Sequence, residues 1–292
     1  VQTCALPIYH QCSSYDVEAC SWSNIPDEDF ALADDNHWTI GQFVWTGFDY
    51  LGEPSPYDTN AWPNHSSMFG IIDLASIPKD RYYLYRSVWN KKAETLHILP
   101  HWTWPGREGK VTPVFVYTNH PTAELFINGK SYGKQSENNS SLKNRYRLMW
   151  IDAVYEPGEI KVVAYNKDGK AVAEKIVRTA GKPHHIELVS NRNELTADGK
   201  DLAYITVRVV DKDGNLCPAD SRQINFSVKG AGKYRAAANG DPTNLEQFHL
   251  PKMHTFNGML TAIVQSGETA GEIVLTAKAS GVKAGNIRIQ TK

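Results

Sequence analysis

Asp49 and Glu53 stand four positions apart in IGQFVWTGFDYLGEP, residues 40–54, among Phe43, Trp45, Phe48 and Tyr50. Two carboxylates can serve as acid and base, or acid and nucleophile, in glycoside chemistry when they lie about 5–10 Å apart. Four residues at the end of a strand are compatible with that separation. A plainer reading stands beside it: one carboxylate bonds a ligand hydroxyl or a neighbouring loop, and the other caps a turn. Trp45, flanked by Gly41 and Gly47, is either core or a platform facing a site, because binding groups collect at the C-terminal ends of barrel strands. His65 lies in a loop rich in Pro, Asn and Ser. There it could bind a hydroxyl, although a loop histidine without a role is the commoner case.

The other chemical candidates are weaker. His97 and His101, with Trp102 and Trp104, read as packing at a domain junction, and His184 and His185 follow Pro183 in a linker. NGDPTNLEQFH, residues 239–249, could ligate calcium through Asp241 and carbonyls. Calcium favours more acids, so a structural loop is preferred. Asn64, Asn138 and Asn139 open glycosylation sequons, which are common by chance. Cys4, Cys12, Cys20 and Cys217 form no metal-ligand spacing. Cys12 and Cys20 could bridge, but isolated buried thiols are preferred. P-loop, dinucleotide, HExxH and GxSxG patterns are all absent from the sequence. No cofactor and no metal are expected.

The formal net charge of -1 gives no electrostatic case for nucleic acid or an anionic membrane. No apolar run approaches the ~20 residues of a membrane helix. Eight Trp and fourteen Tyr suit a sugar-binding protein, since pyranose C–H faces pack on indole, but ordinary cores use as many.

Positioning these residues requires elements, and the pattern changes along the chain. DEDFALADD reads as a short helix, TIGQFVWTGFDY as a buried strand, GEPSPYDTNAWPNHSS as loop, and MFGIIDL as a second apolar segment. PKDRYYLYRSVWNKK reads as a helix with Pro at its start. Strand, loop, then helix is the pattern of an α/β unit. From residue 93 the chain reads as alternating strands and turns, with NGK and KDGK marking hairpins, as in a β-sandwich. RTAGKPHH reads as a linker before a second all-β run of about 100 residues.

QCSSYD, WTIGQFVWTGFDYLGEPSPYD and WPNHSSMFGIIDLASIPKDRYYLYRSVWN resemble glycoside hydrolase family 2, specifically β-galactosidases of gut Bacteroidetes. LHILPHWTWPGREGKVTPVFVYTN and YEPGEIKVVAYNKDGK resemble the sandwich that follows the barrel in those enzymes. Residues 184–292 are similar to a further invasin-like module. The implied fold is mainly β: the C-terminal remnant of a (β/α)8 TIM barrel followed by two immunoglobulin-like β-sandwich domains. The implied domains are 9–92 (barrel end), 93–183 and 184–292 (sandwiches). Residues 1–8, VQTCALPI, are what GTT CAG ACG TGT GCT CTT CCG ATC encodes. That string looks like a sequencing adapter, so an assembly artefact is expected, against a natural terminus that matches by chance.

The resemblance implies that Trp45 packs against galactose, with a cis peptide often following this Trp, and that Asp49, Glu53 and His65 line or brace the sugar pocket. It also implies a retaining mechanism with two glutamates, both upstream of Gln11, so no catalytic residue is expected here. The expected partners are a β-galactoside and the missing N-terminal part of the same polypeptide. The expected location is periplasmic or extracellular. One or two barrel strands cannot close a barrel, so their apolar surface should find cover elsewhere, for instance on the first sandwich, or stay loosely ordered. Two alternatives remain. One is a glycan-binding or spacer sandwich, with Trp102, Trp104, Trp150 and Tyr132 as contacts if exposed. The other is a β-glucuronidase or β-mannosidase of the same family. A glucuronidase would want a basic group, and Lys79 and Arg81 look structural.

Overall fold

The computed structural model describes residues 15–17, 19, 23–53 and 65–292. Val1–Ile8, Cys4, Cys12, Cys20, Asn64 and most of the Pro-rich loop lie outside the described residues. The chain divides into two compact units, Val1–Asp73 with Pro78–Thr179, and Leu74–Ile77 with Ala180–Lys292.

In the first unit, helix α1 (Pro26–Asp35) begins with Pro and carries Asp27, Glu28 and Asp29 in its first turn. Proline tolerates the first helical position and acids suit the positive end of the helix dipole. Helix α2 spans Asp80–Trp89. The strands β1 (Leu96–Leu99), β2 (Val114–Thr118), β3 (Thr122–Ile127) and β4 (Lys130–Ser136) follow, then helix α3 (Leu142–Tyr146), β5 (Leu148–Trp150), β6 (Glu159–Tyr165) and β7 (Ala171–Arg178). They form two antiparallel sheets, ordered β1-β2-β5 and β4-β3-β6-β7. The β3–β4 hairpin turns on Asn128 and Gly129, both left-handed with φ of 48° and 80°, as a two-residue turn requires.

Strand β2 shows where helices α1 and α2 find cover. All five of its residues are buried, which a one-sided sheet would not produce. Val114 and Val116 face a core with Trp102, Leu125, Trp150 and Val162 between the sheets. Phe115 and Tyr117 point the other way, into a second cluster with Phe30 of α1, Ile71, and Leu84 and Tyr85 of α2. The sandwich sheet is therefore the surface on which α1 and α2 bury their apolar faces. Two ion pairs lie at this seam. Arg147 donates to both carboxylate oxygens of Asp27, with both side chains fully buried, and to the Tyr15 carbonyl at 2.7 Å. Arg81 Nε donates to Asp16 Oδ1 at 2.8 Å.

TIGQFVWTGFDY does not form the buried strand its composition suggests. Its pairing consists of isolated bridges, Phe48 with Ile72 (parallel) and Leu51 with Ser66 (antiparallel). Trp38, Ile40, Phe43, Trp45, Phe48 and Leu51 are all exposed, Phe43 completely. β-branched and aromatic residues fit a half-buried pleated surface, so composition reports the need for neighbours rather than their presence.

The second unit contains β8 (His185–Ser190), β9 (Glu194–Leu195), β10 (Leu202–Val210), β11 (Gln223–Gly230), β12 (Gly232–Ala238), β13 (Lys252–His254), β14 (Met259–Ser266), β15 (Gly271–Lys278) and β16 (Gly285–Thr291). Its sheets run β12-β14-β10-β8 and β13-β11-β15-β16-β9 around one core that includes Ile205, Val207, Leu260, Val264 and Leu275. Asp211, after β10, is buried. Its carboxylate accepts from the Gly181, Asp213 and Asn215 backbone N–H groups and the Asn215 amide, at 2.8–3.0 Å. Burial works against its charge, but the Asn215 side chain and the three N–H groups outweigh it and hold the carboxyl at about 2. A depressed folded pKa stabilises above the unfolded value and is lost as pH falls through the folded one. Acid titration of unfolding should therefore show the second unit losing about 2 kcal/mol between pH 4 and 2, a loss that Asp211→Asn removes.

Candidate functional site

Residues 46–52 are laced to residues 65–72 by backbone hydrogen bonds. Thr46 N donates to Phe69 O, Asp49 N to Ile72 O and Gly52 N to His65 O. In return Ser67 N donates to Tyr50 O, Ile71 N to Thr46 O and Ile72 N to Gly47 O. The two segments meet at Gly70, where a Cβ would lie 2.2 Å from Asp49 N and 2.4 Å from the Phe48 carbonyl carbon. Only glycine admits that approach.

On this frame Trp45 is 65 % exposed, and its peptide bond to Thr46 is cis. Its indole stands edge-on to Tyr50, with centroids 6.3 Å apart at 86°. Tyr50 in turn lies 6.4 Å from the buried Phe69 ring. Glu53 is exposed, and its Oε2 accepts the Tyr50 hydroxyl. His65 is half-buried, and its Nδ1 is buried without a hydrogen-bond partner among the described residues.

Asp49 is buried, and its role differs. Its Oδ1 accepts Gly70 N at 2.8 Å and its Oδ2 meets Lys79 Nζ at 2.7 Å. Burial pushes its carboxyl above the ordinary value while Lys79 pulls it back. A carboxylate engaged on both oxygens braces the frame, in keeping with the loop-bonding reading rather than the paired-acid one. Tyr50 and Gly70 were not singled out as site residues from the sequence, and Lys79 was weighed only as a basic group and read as structural. The spacing Tyr50-x-x-Glu53 was the available signal for Tyr50, while Gly70 and the pairing of Lys79 with Asp49 gave none until the two segments were brought together.

Other aromatic and ionisable residues have structural places. Trp102 and Trp150 are buried in the inter-sheet core, and Trp104 and Tyr132 pack partly buried against it. His97 contacts Asp80 at 2.6 Å and stacks on Tyr83 at 3.9 Å, while His101 stacks on Trp104 at 4.0 Å. Asp241 accepts the Thr243 N–H and hydroxyl, closing its loop. Among the described residues, no group of three or more His, Cys, Asp or Glu is placed to hold a metal ion. Cys217 is a free, buried thiol.

Comparison with known proteins extends over nearly the whole chain. Residues 186–288 match glycoside hydrolase family 2 C-terminal domain 5, and residues 109–173 match a domain of unknown function, DUF4982. A β-galactosidase of Bacteroides ovatus is 43% identical over 282 residues, 96% of this chain and 32% of that protein. A putative β-glucuronidase of Formosa agariphila is 34% identical over 86% of this chain and 24% of its own length. The crystal structure of a β-glycosidase from Bacteroides vulgatus superposes with a TM-score of 0.86 at 35% identity, covering 95% of this chain and 34% of that one. The chain thus spans 24–34% of the length of these relatives. An identity this high over almost every residue, with mostly-β architecture to match, leaves one assignment: the chain belongs to glycoside hydrolase family 2 and carries its C-terminal domains.

Proposed function

We propose that this chain is the C-terminal part of a retaining exo-β-galactosidase acting on terminal β-galactosides of glycans, exported to the periplasm or beyond. Residues 9–92 end its TIM barrel, and residues 93–183 and 184–292 are immunoglobulin-like modules. Trp45 is the floor of the sugar site. The observation that carries this reading is the exposed indole held on a hydrogen-bonded frame, edge-on to the tyrosine that bonds Glu53. The exposed apolar side chains from Trp38 to Leu51 support it too, since contiguous apolar exposure marks an interaction surface. Their natural cover is the rest of the barrel.

Galactosides are favoured over glucuronides because the two basic candidates are committed elsewhere, Lys79 to Asp49 and Arg81 to Asp16. The similar Bacteroides ovatus protein is a β-galactosidase, which points the same way. For the sandwiches, burial of Trp102 and Trp150 favours a spacer over a glycan-binding role.

The nucleophile and acid/base glutamates come from polypeptide outside these 292 residues. The purified chain should therefore release no nitrophenol from nitrophenyl β-galactoside above buffer. Steady turnover that survives repurification would overturn that assignment.

A further inference from the structure

The sugar-platform reading leaves open what selects the sugar, and Tyr50 joins the two groups that bear on it. Its N–H donates to Ser67 Oγ at 3.1 Å and its carbonyl accepts Ser67 N at 2.8 Å, so its backbone is held on both sides. Its ring stands edge-on to Trp45, with centroids 6.3 Å apart. Its hydroxyl donates to Glu53 Oε2. Burial and the Glu53 hydrogen bond raise the phenol above its ordinary value, so it stays the donor near neutral pH. Glu53 follows Gly52, whose φ of 97° only glycine adopts readily, and the tie to Tyr50 fixes its exposed carboxylate relative to the indole.

A carboxylate only accepts hydrogen bonds. At the rim of a sugar platform it takes an O–H from a neutral pyranoside and repels the carboxylate of a uronide. Lys79, which could offset that repulsion, is paired with Asp49. We infer that Glu53 is a specificity residue, held in place by Tyr50 as a positioning residue, which makes the Trp45 platform select neutral pyranosides over uronides. This inference rests on the platform reading.

The test uses the 15N-labelled 292-residue chain, with the Trp45 indole N–H signal identified by its loss in Trp45→Phe. Tyr50→Phe is expected to move that signal while the other indole signals stay, which also reports that the fold is kept. An unmoved signal overturns the positioning role. Titration with methyl β-galactoside should shift the Trp45 signal, and methyl β-glucuronide should bind about three- to tenfold more weakly. Glu53→Gln should bring the two affinities together, and Tyr50→Phe should narrow the gap. Equal binding in the wild-type chain, or a gap unchanged in Glu53→Gln, overturns the selectivity. If neither sugar moves the signal, the platform reading fails and takes the selectivity with it, while the Tyr50 contacts are still judged by the first arm.

Discussion

Arg147→Met should destabilise the first unit by about 3–5 kcal/mol, the range for breaking a buried ion pair from one side. Arg147 and Asp27 are both fully buried, and Arg147 lies 5.6 Å over the Tyr117 ring. Methionine replaces much of the stem but leaves the Asp27 carboxylate without its counter-charge. Burial already pushes that carboxyl upward and Arg147 is what opposes it. In the variant Asp27 takes up a proton instead. The loss should therefore shrink as pH falls, because a neutral Asp27 needs no partner. Urea unfolding gives the measurement, with Asp27→Leu/Arg147→Met closing the cycle. The double variant should recover most of the loss, since replacing both partners with apolar groups is often neutral. A loss below about 1 kcal/mol for the single variant would mean that the pair does not hold α1 against the sandwich.

Gly70→Ala should open the frame beneath Trp45. The added Cβ would overlap Asp49 N, the Phe48 carbonyl carbon and the Ile72 oxygen, all within 2.5 Å and all backbone. Backbone cannot rotate away as a side-chain tip can, so the cost belongs at the upper end of overpacking, about 2–3 kcal/mol. The effect should be local. Hydrogen exchange at the Thr46, Asp49, Ile71 and Ile72 amides should accelerate by about 30- to 150-fold, with the β10 and β14 amides unchanged. Unaltered protection at those four amides would contradict the frame.

The sandwiches were legible in the sequence because their strands obey local rules. NGK gave the β3–β4 turn, KDGK lies between β6 and β7, and period-two alternation gave the one-sided burial of β10 and β15. Helices α1 and α2 were legible too, from Pro, acids and apolar spacing, whereas the five-residue α3 was not. The stretch around Trp45 was misread as buried strand because its aromatics call for neighbours that the described residues do not supply. Asp49 was left open between catalysis and loop bonding. Its type permits catalysis, but its partner Lys79 is 30 positions away, and pairing at that range leaves no local pattern. The two buried arginine pairs, Arg81 with Asp16 and Arg147 with Asp27, were invisible for the same reason.

The platform role of Trp45 can be read directly in a chimera that joins the upstream two thirds of the Bacteroides ovatus β-galactosidase to this chain in place of its own matching segment. The account predicts hydrolysis of nitrophenyl β-galactoside by the chimera. It also predicts that Trp45→Ala lowers kcat/KM at least about tenfold, roughly 1.4 kcal/mol of transition-state binding. A Trp45→Ala chimera as active as its parent would contradict it.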